Sequence, residues 1–413
     1  MRIFDRDLTQ PKRYRDGTHR ARPPAETVAD YARLMPRLGI TRLASITGLD
    51  AIGLPVYMAI RPNGRALSAA QGKGFDRDTA RASALMEAIE SWHGERIEAP
   101  LRHDSYQGLR RHADVVDIER MALRAHRVLR YDRPLLWIEG WDLVAGRPVW
   151  LPFAAVTTNF VQDPDEATAF VTSSNGLASG NHLLEAIVHG LCEVIERDAT
   201  TLAALAPEGE RAARRLDLAP GATGPLCERA LALIRAAGAE VIAYDTTSDV
   251  GVPAYECKVF DRPDVPRWHI KGFSGGFGCH PSAEIALLRA ITEAIQSRLT
   301  LIAGSRDDNF TATYESFGDP ALLRAQLERL AASPPRRRFE AVSLATDTFE
   351  GDLAVLLERL RAVGVDSAVV VDLTRAELGV PVVKVVVPGL EGHDKGAYYT
   401  PGARARANAE ARS

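Results

Sequence analysis

Three stretches of the chain share one design, and together they constrain the fold more than any other feature. Each runs from a strand through a glycine turn into a long helix. They are SAAQGKGFDRDTARASALMEAIES (68–91), VTSSNGLASGNHLLEAIVHGLCEVIERD (171–198) and GFSGGFGCHPSAEIALLRAITEAIQSR (272–298). An α-helix turns by about 100° per residue, so positions x, x+4 and x+7 fall on one narrow stripe. That stripe carries Ser83, Glu87 and Glu90 in the first unit. In the second it carries His189, Glu193 and Glu196, with Glu185 one turn earlier, and in the third Arg289, Glu293 and Gln296. Apolar neighbours such as Leu85, Ile89, Leu191, Ile195, Leu288 and Ile295 predict buried helices whose carboxylates point inward.

A single glutamate pair three residues apart is ordinarily a solvated helix face. Three helices that repeat the pattern among apolar residues are a different matter. Buried carboxylates that close repel one another and lose hydration, so they need cations. Magnesium meets the need with a few carboxylates and phosphate oxygens, which implies a nucleotide with its metals. The basic residues Lys73, Arg197, Arg289 and Arg298 would face the phosphates, and the glycines would let backbone N–H groups approach them.

Net charge is −3, which excludes a general nucleic-acid or anionic-membrane binder. The cysteines Cys192, Cys227, Cys257 and Cys279 show no CxxC spacing, so neither a zinc site nor a redox pair is expected. No signal peptide or membrane-spanning run is visible, and a cytoplasmic protein is expected.

Strands alternate with helices, so the fold class is α/β or α+β. Residues 1–24 read as an N-terminal arm and 25–330 as the core, with 103–133 a charged helical insertion. Residues 331–390 form a C-terminal α/β part, and 391–413 a polar, loosely ordered tail. Thr27 is placed as the cap of the first helix, and Pro62-Asn63-Gly64 as the turn of a hairpin.

The motifs resemble those of the YcaO family. SALMEAIES resembles S-x-x-x-E-x-x-E-R through Ser83, Glu87 and Glu90, with Ser91 where the motif has arginine. SGNHLLEAIVHGLCEVIERDA resembles the second nucleotide motif through Asn181, Glu185, Glu193, Glu196 and Arg197, and RAITEAIQSR the third through Arg289, Glu293 and Gln296. The resemblance implies ATP and two Mg2+ ions in these helices. Glu87, Glu90, Glu185, Glu193 and Glu196 would serve the metals, and Arg42, Ser45, Lys73, Ser83, Glu90, Asn181, Arg197, Arg289, Glu293 and Gln296 the nucleotide. It also implies attack of a nucleophile on a peptide carbonyl whose oxygen takes the γ-phosphoryl group.

Residues 14–56 and ESWHGE (90–95) are similar to the YcaO proteins that work with a TfuA partner, which implies thioamide formation from a sulfide source. The chain ends YYTPGARARANAEARS, without the Pro-x-Pro-x-Pro tail common in azoline-forming relatives. An azoline- or amidine-forming cyclodehydratase and a non-catalytic peptide-binding protein are the alternatives. Expected partners are a peptide or protein substrate and a TfuA-like protein, with no nucleic acid and no membrane; a homodimer is left open. Cys192, read as lying on the acidic stripe, is a candidate persulfide carrier with a buried core cysteine as the plainer reading. No general base is evident.

Overall fold

The computed structural model describes residues 1–161, 169–262, 272–392 and 399–410. The N-terminal arm is docked along its length. It opens with the short hairpin β1 (Arg2–Ile3) and β2 (Arg6–Asp7). Lys12 then buries its ammonium against Asp352, the two side chains being 0% and 1% exposed. The first helix, α1 (Pro24–Tyr31), begins at Pro23 with no side-chain cap. Thr27 lies inside it, and its hydroxyl donates to Asn181 Oδ1 at 2.8 Å instead of capping the helix.

Strands β3 (Arg42–Ser45), β4 (Val56–Ile60) and β5 (Ala69–Lys73) form an antiparallel sheet, so the stretch 40–60 holds two strands rather than one. Helix α2 (Arg77–Glu95) follows, capped by the Asp76 carboxylate on the Thr79 amide. The segment 103–133 is not the helical insertion expected. It carries β6 (Leu101–Ser105), a single turn α3 (Tyr106–Leu109) and β7 (Leu123–Arg124), and β6 is an edge of the main sheet. Its charges line the outside of strand and loop, a pattern that composition alone does not separate from a helix face.

Then come β8 (Pro134–Asp142), β9 (Arg147–Pro152), β10 (Leu177–Ser179) and α4 (Leu183–Ala204). Helices α5 (Glu208–Ala213) and α6 (Pro225–Ala236) lead to β11 (Ala239–Asp245), β12 (Ala254–Asp261) and β13 (Ser274–Cys279), an antiparallel sheet covered by α7 (Ala283–Ala303). The glycines 272–278, expected as a loop, mostly belong to β13; the strand expected at 267–274 falls largely outside the described residues. Helices α8 (Thr311–Gly318), α9 (Pro320–Ala332) and α10 (Phe349–Ala362) precede β14 (Val369–Asp372) and β15 (Val382–Val386).

The main sheet runs β10-β15-β14-β8-β6, with β9 also on β8, and its strand pairs are antiparallel. The fold is therefore of the α+β kind. Side chains alternate across the sheet as the pleat requires. Val370, Val383 and Val385 pack with α4 and α10, while Val369, Val371 and Val382 pack with α2.

The tail is not loose where it is described. Strand β16 (Tyr399–Thr400) pairs with β7, and α11 (Ala403–Glu410) lies on α4. Arg404 reaches Asp198 at 2.9 Å, a carboxylate with no exposed surface, and also pairs with Asp249. One buried partner for one arginine is enough to fix a polar segment, and that partner is 206 residues away in sequence.

Candidate functional site

The glycines of the three units act first in packing. A Cβ on Gly72 would lie 1.9 Å from the Ala84 nitrogen of α2, one on Gly276 2.2 Å from the Ala294 nitrogen of α7, and one on Gly180 2.7 Å from the Ala186 nitrogen of α4. Each helix thus lies against the glycine backbone of its own strand or turn. Close packing is thus a second role for these glycines, beside the expected approach of N–H groups to an anion.

Each helix also touches the strand of another unit: α2 meets β10, α4 meets β13, and α7 meets β5. The three units therefore close in a ring. The polar stripes mark the same circuit. Glu90 of α2 accepts from the Ser179 amide and hydroxyl of β10 at 2.8 and 2.7 Å. Arg197 of α4 lies 5.5 Å from the Phe277 ring of β13. Glu293 of α7 pairs with Lys73 of β5 at 3.2 Å and accepts from the Phe277 amide at 3.3 Å.

Burial shows which face opens inward. Along α4 from Leu183 to Leu202, the residues not fully buried are His189, Glu193 and Arg197, one position every four. Ser83, Glu87 and Glu90 on α2, and Arg289, Glu293 and Gln296 on α7, are half-buried in the same way. The stripes thus form the walls of a cleft whose surroundings are otherwise core.

The electrostatics are those of crowded acids. Burial pushes the Glu87 carboxyl up to about 7, against the pull of Lys73 and Arg306, with Glu293 and Glu193 adding to the rise. Burial likewise lifts Glu90 to about 8 despite the Ser179 bonds, and Glu196 to about 7 despite Arg197, which pairs with it at 3.2 Å. Glu193 is raised by burial too, with Arg197 opposing. Burial would also raise Glu293, but Lys73, Arg197 and Arg289 outweigh it and hold that carboxyl below its ordinary range. His189 is kept neutral by burial and by Arg289, whose Nη2 lies 3.2 Å from His189 Nε2. Among the described residues, buried His189 Nδ1 and Arg289 Nε have no hydrogen-bond partner.

These features fit a polyanion bound with cations. The acids need neutralising, the arginine and histidine atoms lack partners, and Lys73, Arg197 and Arg289 supply positive charge. Among the described residues no three His, Cys, Asp or Glu side chains form a ready cage for a metal. Magnesium held partly by phosphate oxygens needs no such cage.

Several expected residues sit elsewhere. Glu185 is turned to the arm: it accepts from the Ala21 amide at 3.0 Å and pairs with Arg20 at 3.6 Å. Asn181 is engaged by Arg22, Thr27 and Glu185. Arg298 is 2% exposed and closed in by Asp261 and Asp50, so it does not face phosphates. Arg42 and Ser45 are exposed on β3, and among the described residues neither side chain bonds to a stripe. Cys192 lies on the core face of α4, off the acidic stripe, and the nearby Cys279 thiol is pushed well up by burial.

Three residues were missed. Arg20 lies where its charge meets Glu185, Arg289 and Glu90, and Arg306 meets Glu87. Neither has a local sequence signal. Lys384 does, being the one polar residue of the strand VVKVV.

A ring of acids and bases of this kind suits a nucleotide bound with metal ions. The sequence profile of the YcaO cyclodehydratase family, ATP- and Mg2+-binding, matches residues 71–391. A Rhizobium leguminosarum bv. trifolii protein from the tfuA 3′ region is 37% identical over 394 residues, covering 94% of this chain and 92% of that one. A Methanothermobacter thermautotrophicus protein is 37% identical over 379 residues, covering 89% and 94%. Among solved structures, YcaO from Methanopyrus kandleri bound with AMPPCP and Mg2+ aligns at TM-score 0.69 and 24% identity, over 95% of this chain and 99% of that one. A heterocyclase in complex with substrate and cofactor aligns at 0.76 and 22%, over 94% of this chain but 54% of that one.

The chain belongs to the YcaO family. It is an ATP-dependent peptide-modifying enzyme, and ATP with Mg2+ is its cofactor pair. No helix among the described residues is long and apolar enough to cross a membrane.

Proposed function

We propose that the chain replaces the oxygen of a peptide or protein backbone amide by sulfur, giving a thioamide with a TfuA-like partner. The observation that carries the nucleotide part is the closed ring that sets Glu87, Glu193 and Glu293 within electrostatic reach of one another. Glu87 and Glu193, flanked by Glu90 and Glu196, would hold the metals; Lys73, Arg197 and Arg289 would meet the phosphates, with Ser83, Glu293 and Gln296 beside them. Asn181 and Glu185 then act by fixing the arm, and Arg42 and Ser45 enter only through the family resemblance. Bound ATP supplies the phosphoryl group that turns the amide oxygen into a leaving group.

The reaction balances without a redox partner. Hydrosulfide forms the new carbon–sulfur bond, the carbon–oxygen bond breaks, and phosphate leaves with the amide oxygen and the hydrosulfide proton. Two observations favour sulfur: the similarity of residues 14–56 and 90–95 to TfuA-associated proteins, and the relative from the tfuA 3′ region. The test is mass spectrometry of a candidate substrate after incubation with ATP, sulfide and partner. A gain equal to the difference between sulfur and oxygen supports thioamidation. Loss of water would instead assign the chain to azoline or amidine formation.

A further inference from the structure

Lys384 is a buried cation that the nucleotide site leaves unused. It is 1% exposed in the middle of β15, with two valines on either side. The sheet buries both faces of this strand, so the ammonium has no route to water along it. A buried charge costs several kcal/mol unless it is paired. Yet among the described residues its hydrogen-bond partner is the Ser173 carbonyl, and no carboxylate lies within ion-pair distance. An ammonium has three N–H donors. Glu193 acts on it only at longer range.

Lys384 lines a recess, and so does Ser173, whose carbonyl its ammonium bonds. Val194, Val385 and Val387 give it apolar sides, and Met121 and Ala155 line it as well. Asn175 is there too, with a buried Oδ1 that lacks a partner. Glu391 reaches the same recess, but its oxygens accept from the Gly402 and Ala405 amides and are spoken for. Apolar walls around one fixed cation favour a small, weakly hydrated monoanion over a strongly hydrated one.

We propose that this recess is the nucleophile site: Lys384 binds a small soft monoanion, hydrosulfide, beside the nucleotide cleft. The assignment of hydrosulfide rests on the thioamide reading; the anion site itself does not. Glu193 bounds the cleft on one side while its chain neighbour Val194 lines the recess, so the anion waits one residue away from the metal-bearing stripe.

The test uses bromide as a probe of the full-length protein, followed by bromine NMR line broadening, and separately the sulfide dependence of turnover. Wild type should give saturable broadening that sulfide displaces and ATP does not. Lys384→Met should abolish it and raise the KM for sulfide at least tenfold, with ATP affinity unchanged. Ala155→Leu fills the recess from another wall without touching the lysine and should act in the same direction, which guards against a misfolded Lys384 variant. Absence of saturable bromide binding in wild type, or binding that survives Lys384→Met, overturns the site. Binding that needs Lys384 alongside an unchanged sulfide KM overturns the nucleophile role. Lys384-dependent bromide binding in a protein that makes no thioamide upholds the anion site and sinks the thioamide reading instead.

Discussion

Two clusters of buried charge sit on the same helix, α7, less than two turns apart, and they behave in opposite ways. Around Arg298 both carboxylates are paired: the guanidinium bonds both Asp261 oxygens at 2.9 and 3.1 Å and Asp50 at 3.1 Å, all three side chains are at most 3% exposed, and Nη1 is left without a partner among the described residues. Around Glu293, Glu87 and Glu90 form no ion pair among the described residues, burial raises the Glu87, Glu90 and Glu196 carboxyls, and His189 Nδ1 and Arg289 Nε have no partner there. A closed cluster ties strands and helix together. An open cluster is a standing demand for a ligand. Burial of charge alone marks neither; what separates them is whether every carboxylate has a close cationic partner.

Mutation should break the two clusters differently. Arg298→Met takes from Asp50 and Asp261 the buried arginine they share and should cost about 3–5 kcal/mol of stability, read as a large drop in Tm. A wild-type Tm would refute the contrast. Glu193→Gln should do the reverse. It removes a repelled carboxylate, so Tm should hold or rise, while ATP hydrolysis falls by about 100-fold, equivalent to about 2.7 kcal/mol of barrier. Normal hydrolysis in this variant would remove Glu193 from the site.

A smaller effect is expected at the tail. Arg404→Ala strands the Asp198 carboxylate on α4 and should cost about 1–3 kcal/mol, with hydrolysis below the melting range changed little. Urea titration beside an activity assay distinguishes this from a tail residue that takes part in the reaction, for which activity would fall and stability would not.

The smallest effect is a slope with pH. The Glu87, Glu90 and Glu196 carboxyls stand above their ordinary value of 4.5 in the folded protein. Folding therefore favours their protonated forms. That contribution is complete below the ordinary carboxylate pKa and is lost as pH rises through about 7 to 8. Protein free of nucleotide and metal should melt at progressively lower temperature over this window. Mg2+ with ATP should flatten the slope, and an unchanged slope would mean that the cations do not reach these acids.

The acidic stripes were legible because helical period is a local property: Glu87, Glu193 and Glu293 could be aligned from spacing alone, and each motif does fall in a long helix, Arg77–Glu95, Leu183–Ala204 and Ala283–Ala303. Partner choice was not legible. Glu185 and Glu193 look alike on one helix, yet one binds the Arg20 arm and the other faces the cleft, because only the fold decides what lies opposite each turn. Arg298 looked like Arg289 for the same reason. The segment 103–133 misled through its charge, which suits a solvated strand and loop as well as a helix. Thr27 misled because the preceding Pro23 already starts the helix.

The ring has a consequence for how the chain comes to life. Lys73 and Glu293 lie 220 residues apart, and Glu90 and Ser179 lie 89 apart. The cleft therefore has no local precursor. Contacts between such distant residues form late and slowly, since long loops must close before they are rewarded. A nascent chain emerging from the ribosome passes most of its synthesis without α7, and so without a third wall. It can fold its hairpins and bury its helices, but the proposed cleft lacks a wall until the last of the three units arrives. The architecture delays the complete cleft until α7, ending at Ala303, has been made.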